Sequence, residues 1–162
     1  MKIYFTPSPD YAGHGREHVQ GDELDAVSRA DLRWYYFLGR LGISESMREI
    51  GPSWGWVPLF DAMCCVRQVM VFAQGGDGLG KIDFTENDEF IDFQRTQKGL
   101  RLVPTYSKFE LECTIGELVT AGGSFIREEV KRVIDEYPSL ARNEYVRSLA
   151  LDVGLNLEVP EV

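Results

Sequence analysis

The chain has 162 residues, 44% of them hydrophobic and 27% charged, the balance of a single globular domain able to bury a core without disulfide or metal staples. Lys and Arg number 17 against 26 Asp and Glu, a formal charge of −9. Such a field repels phosphate backbones and anionic lipid, which argues against direct nucleic-acid or membrane-surface binding, and it favours fast capture of a basic protein.

The three cysteines, Cys64, Cys65 and Cys113, form no C-x-x-C pair, so neither a disulfide framework nor a structural zinc site is expected. The opening residues carry no apolar signal-peptide core, and no apolar run approaches the roughly 20 residues of a membrane span. A cytoplasmic location without a cofactor is the expectation.

Residues 1–162 read as one domain. Ile3, Tyr4 and Phe5 form a short β-prone run. Residues 6–22, rich in Pro, Gly and polar side chains, then read as an irregular loop. Within it, His14-Gly15-Arg16-Glu17-His18 matches H-x-x-E-H, in which two histidines one helical turn apart hold zinc and the glutamate serves as general base. A zinc-dependent hydrolase built on His14, Glu17 and His18 is therefore the alternative function. The surroundings argue for a solvated loop: Gly13 and Gly15 bracket the first histidine, and no apolar face accompanies the motif.

Residues 31–43 hold four consecutive aromatics and two glycines, which predicts one long twisted strand. Gly51-Pro52-Ser53-Trp54-Gly55-Trp56 is a turn-rich connector, and Pro58 stands where a first helical position tolerates it. Leu59, Phe60, Met63, Cys64, Arg67, Met70 and Val71 follow helical spacing, and Gly75-Gly76 stops that helix. The glycines from Gly75 to Gly80 miss the G-x-G-x-x-G spacing and follow a helix where a phosphate loop follows a strand.

Residues 81–106 predict an antiparallel meander. Ile82 and Phe84 alternate with Asp83 and Thr85. Ile91 and Phe93 alternate with Asp92 and Gln94. Asn87-Asp88 and Gln97-Lys98-Gly99 supply the turns, and Leu100 and Leu102 continue a third strand. Phe109, Leu111 and Cys113 suggest a fourth. Thr114 and Glu117 fit a capping box. The helix it opens carries Ile115, Leu118, Phe125, Ile126, Val130, Val133 and Ile134 on one face, and Gly122-Gly123 weakens its middle by roughly 1 kcal/mol per glycine relative to alanine. Pro138 ends it, a short helix covers 143–152, and 153–162 form a loose tail. The order of elements predicts an α+β fold, a mostly antiparallel sheet covered on one face by two main helices.

No catalytic set is expected: there is no G-x-S-x-G elbow, and a cysteine nucleophile would need a histidine beside it. The candidate partner-binding residues are the five acids Asp83, Glu86, Asp88, Glu89 and Asp92, clustered in one hairpin, together with Trp54 and Trp56 in the connector. A carboxylate-rich hairpin suits a cationic protein, and loop aromatics make interface anchors. The competing structural readings are the solvated face of a one-sided sheet and a plug at the end of the core.

The segments Trp-Gly-Trp-Val-Pro-Leu-Phe-Asp (54–61) and Lys-Ile-Asp-Phe-Thr-Glu-Asn-Asp-Glu-Phe-Ile-Asp-Phe (81–93), with the chain's size, acidity and order of elements over about residues 30–150, resemble the small acidic immunity proteins of bacterial polymorphic-toxin systems. The resemblance implies a non-catalytic inhibitor that binds a toxin domain and masks its active site.

Overall fold

The structure, a computed structural model, describes residues 1–9 and 23–157. Strand β1 (Lys2–Pro7) turns Ile3 and Phe5 into the core and pairs antiparallel along its whole length with β2 (Leu38–Glu45). Thr6 and Pro7, placed in a loop by their composition, are strand residues. The ladder runs on to a bond from the Ser8 N–H to the Leu38 carbonyl at 3.1 Å. The rest of that loop, residues 10–22 with His14, Glu17 and His18, lies outside the described residues.

The single strand expected over 31–43 is two elements. Helix α1 (Arg29–Tyr35) begins because the Ser28 hydroxyl accepts the Asp31 N–H at 3.1 Å, satisfying a first-turn donor. It buries Leu32 and leaves Trp34 and Tyr35 at the surface. Phe37 then takes a left-handed backbone, φ 56°, and makes the corner into β2. The aromatic run straddles this corner and does not mark one pleated surface. Strands β3 (Arg48–Glu49) and β4 (Val57–Pro58) also pair with β2.

Helix α2 (Leu59–Ala73) follows. Pro58 caps it from β4 and does not occupy its first turn, and Gly75 closes it at φ 88°. Leu59, Phe60, Met63 and Cys64 are buried as their spacing predicts. So are Ala62, Val66 and Val69 on other sides, whereas Val71 is exposed and Arg67 reaches Asp152 at 2.6 Å.

Strands β5 (Lys81–Asp83), β6 (Phe90–Arg95), β7 (Leu100–Pro104) and β8 (Leu111–Cys113) form a second antiparallel sheet in that order. Ile82, Phe84, Ile91, Phe93, Leu100 and Leu102 are its buried face. Phe109 stands before β8 and is exposed. The fold is α+β with antiparallel strands, as expected. Among the described residues the strands make two sheets and not one, because β1 to β4 pair only among themselves.

Helix α3 (Ile115–Glu136) starts on a complete capping box: the Glu117 N–H donates to the Thr114 hydroxyl at 3.1 Å and the Thr114 N–H to the Glu117 carboxylate at 2.7 Å. A 3-10 turn (Pro138–Arg142) leads to α4 (Glu144–Asp152). Buried Asn143 caps α4 and donates to the carbonyls of Leu24 and Val27, both at 2.9 Å, tying the last helix to the lead-in of α1. Residues 153–157, expected to be loose, are held: Val153 is buried, its carbonyl accepts from Arg127 at 3.0 Å, and Leu155 packs on the core. Residues 158–162 lie outside the described residues. One apolar cluster joins both sheets to α2 and α3. No helix among the described residues is long and apolar enough to cross a membrane.

The paired glycines of α3 differ in what surrounds them. A Cβ on Gly122 would stand 2.6 Å from the Met70 sulfur and 3.0 Å from a Val66 methyl, so Gly122 is where α3 meets α2. A Cβ on Gly123 would meet nothing nearer than 3.7 Å. Gly123→Ala is expected to stabilise the protein by up to about 1 kcal/mol through helix propensity, and Gly122→Leu to destabilise it by about 1–3 kcal/mol through overpacking; urea denaturation of both variants checks the contrast.

The capping box makes a pH-dependent contribution. Backbone and hydroxyl donors of Thr114 hold the Glu117 carboxyl below its ordinary 4.5. A depressed folded value means stability present in full above pH 4.5 and lost as pH falls through the folded value. The melting-temperature gap between wild type and Glu117→Gln is therefore expected to be widest near neutrality and to close in acid.

Candidate functional site

The hairpin joining β5 and β6 is shaped by local bonds. Phe84 donates its N–H to the Glu89 carbonyl at 3.0 Å, and the Asn87 side chain accepts the Glu89 N–H at 3.0 Å, an Asx turn. This turn exposes Asp83, Glu86 and Asp88 and leaves Glu89 and Asp92 half-buried. Lys81 neutralises Asp83 at 2.7 Å while lying 4.0 Å from the centre of the Phe90 ring. Glu89 accepts from the Thr105 hydroxyl, and Asp92 from the Gln94 amide at 2.9 Å. Glu86, Asp88, Glu89 and Asp92 thus have no basic partner among the described residues.

The connector aromatics lie against this hairpin. The Trp54 ring meets Phe84 edge-on at 5.4 Å and Tyr106 edge-on at 5.2 Å, and it stacks with Trp56 at 6.3 Å. Phe84 is itself the buried residue of the hairpin between Asp83 and Glu86. The two sequence-predicted groups, one acidic and one aromatic, are therefore neighbours on one surface. Their roles differ: Trp54 is half-buried and seals the end of the core, whereas Trp56 keeps 39% of its surface exposed. The Tyr106 hydroxyl donates to the Ile50 carbonyl, which pins the floor of the cluster to the first sheet. The Trp54 indole N–H is buried without an acceptor among the described residues, an arrangement that costs on the order of 1–3 kcal/mol.

A buried ion pair underlies the same region. Asp61, in the first turn of α2, is 4% exposed and accepts from the Arg33 guanidinium of α1. Burial holds the Asp61 carboxyl above its ordinary 3.8 despite the pull of Arg33, and the charge of Asp83 adds to that rise. Local desolvation, followed by the charge of Asp61, likewise raises Glu86. Arg33 also lies over the exposed Trp34 ring at 5.0 Å.

Burial pushes the Cys65 thiol up to about 12 and the Cys113 thiol to about 11, so neither is a thiolate at neutral pH. Among the described residues no group of three or more His, Cys, Asp and Glu is placed to hold a metal ion, and the His14-x-x-Glu17-His18 string falls outside them.

Sequence reasoning missed Phe84, Tyr106 and the Arg33–Asp61 pair. Strand alternation marked Phe84 as buried but not as part of a site. An acid on the otherwise apolar Leu59–Cys64 turn was the available sign of a buried partner. Nothing local singled out Tyr106. Compared with protein-family models, with curated proteins and with solved structures, the chain finds no match.

Removing either partner of the ion pair has an unequal effect. Arg33→Met strands a nearly inaccessible carboxylate and is expected to cost about 3–5 kcal/mol at neutral pH. Asp61→Asn leaves a guanidinium that is one-quarter exposed, side chain 24%, and costs about 1–3 kcal/mol. Protonation relieves the stranded acid, so the Arg33→Met deficit is expected to shrink as pH falls, whereas Asp61→Asn removes the titrating group and its deficit shows no such relief; chemical denaturation at several pH values reads both.

Proposed function

We propose that the chain is a non-catalytic protein-binding module that captures a basic protein on the surface formed by the acidic hairpin and the Trp54–Trp56 loop. In its most specific form it acts as an immunity-type inhibitor, covering the active site of a toxin domain. The observation that carries this reading is the packing of Trp54 on Phe84, which sets the Trp54–Trp56 loop against a hairpin whose Glu86, Asp88, Glu89 and Asp92 have no basic partner among the described residues. Uncompensated acids attract a cationic partner over distance and are open to close Lys or Arg pairs, while an amphipathic ring supplies the anchor that charge alone lacks. A toxin that acts on phosphates presents a basic cleft, and such a surface is complementary to it in sign.

Charge neutralisation without change of shape tests the proposal. In a variant carrying Asp88→Asn, Glu89→Gln and Asp92→Asn, the replaced groups keep their acceptors for Thr105 and Gln94, so the melting temperature is expected to hold within a few degrees. Against a basic partner found by pull-down or encoded in the neighbouring reading frame, association is expected to slow by about tenfold at low salt and to lose much of its salt dependence. Trp56→Ala is expected to speed dissociation instead. Association and dissociation rates that match wild type at every salt concentration would remove this surface from consideration.

A further inference from the structure

A groove of about 690 Å³ runs along the second sheet on the side opposite β5, and two unbroken stretches of chain line it, residues 45–48 and residues 108–112. Successive side chains of a strand point to opposite faces, so a pocket over a face takes every second residue. A lining without gaps follows a strand's edge. The ladder confirms which backbone groups point there. Bonds from the Thr105 N–H to the Phe90 carbonyl and from the Thr96 N–H to the Gly99 carbonyl set the phase of the β6–β7 pairing. Leu100 and Leu102 of β7 then bond across to Cys113 and Leu111, while Glu112, opposite Arg101, turns its N–H and C=O away from β7. Among the described residues β8 has no other neighbour in its ladder.

The walls have a definite chemistry. Met47, at the tip of the β2–β3 turn, is 100% exposed, and Phe109 across the groove is 63% exposed. Glu45 is held by the amino group of Met1 and Glu110 by Arg101 at 2.5 Å. Among the described residues that leaves two unpaired cations, Arg48 and Lys108, against one unpaired carboxylate, Glu112, so the free charge of the groove is positive in a chain of −9. Pairing of two β8 edges about Glu112 would set like charges opposite each other, which argues against a second copy as the occupant.

We propose that this edge accepts an extended, acidic segment of a partner protein as a fifth strand beside β8, its main chain bonded to Glu112, an acidic side chain between Arg48 and Lys108, and an apolar side chain between Met47 and Phe109. Strand addition draws affinity from main-chain bonds and selectivity from alternate side chains. The shortness of β8, with Glu112 at its centre and Glu110 just before it, discourages indiscriminate edge pairing. The proposal is independent of the acidic surface, which belongs to the β5–β6 hairpin.

The test is fluorescence anisotropy with the whole chain and a short dye-labelled peptide alternating valine and threonine around one central glutamate. Saturable binding is expected, weakened about tenfold or more when lysine replaces the glutamate or when the amides along one edge of the peptide are N-methylated. Glu112→Pro removes the outward donor and leaves the bonds to β7 in place, and binding is expected to be lost. Should that variant fold poorly, Met47→Glu, at a fully exposed position, serves as the second variant and is expected to repel the acidic peptide. Absence of saturable binding, undiminished binding of the N-methylated peptide, or equal binding of the lysine peptide overturns the proposal. Self-association of the chain that Glu112→Pro abolishes assigns the edge to a second copy and overturns it as well.

Discussion

Over Leu59–Cys64 helix α2 is buried on every side, and this constraint organises the molecule. A helix apolar on one stripe needs one neighbour, whereas a helix apolar all round needs neighbours on every side. Around α2 these are α1 and β4 near its start, β2 and β5 along its length and α3 across it. The approach of α3 is set by the bare backbone at Gly122, where a side chain would strike Met70. The approach of α1 is set by charge. Asp61 enters the core on the first turn of α2, and a carboxylate there is tolerable only with a partner, which Arg33 supplies.

The candidate binding surface follows from the same arrangement. With β5 held against α2, the β5–β6 hairpin projects beside the first turn of that helix, close enough for Asp61 to act on Glu86 and Asp83 on Asp61. The connector between β3 and β4 crosses this end of the core and closes it with Trp54. One ring cluster, Trp54, Phe84 and Tyr106, thereby joins the connector, the hairpin and the segment after β7. The hairpin's own backbone bonds shape a turn that exposes Asp83, Glu86 and Asp88.

Splitting the strands into two sheets multiplies edges. A single eight-stranded sheet has two; two four-stranded sheets have four, and each must be covered, blunted or used. Helix α2 marks the split in the chain, because β1 to β4 precede it and β5 to β8 follow it. The edge at β8 is left facing the β2–β3 turn across a groove, a juxtaposition of two segments far apart in the chain.

The sequence by itself determined the elements whose signals are local. The capping box at Thr114 and Glu117, the alternation of Ile82, Phe84, Ile91 and Phe93, the stop at Gly75 and the α+β class were all legible, because each depends on residues within a turn or a hairpin of one another. Reading residues 31–43 as one strand failed because aromatic density reports burial and β-preference together, and here Leu32 is buried by a helix while Trp34 and Tyr35 face out. Gly122-Gly123 looked like a weakness in α3 because the helix was read without its neighbour. The acids and tryptophans were nameable singly, but their union was not: the contact of Trp54 with Phe84 spans thirty positions of chain, and the Arg33–Asp61 pair twenty-eight. Only the closing of the chain around α2 decided these contacts, since burial is a property of the whole packed core and no local pattern encodes which distant side chain will fill a given face.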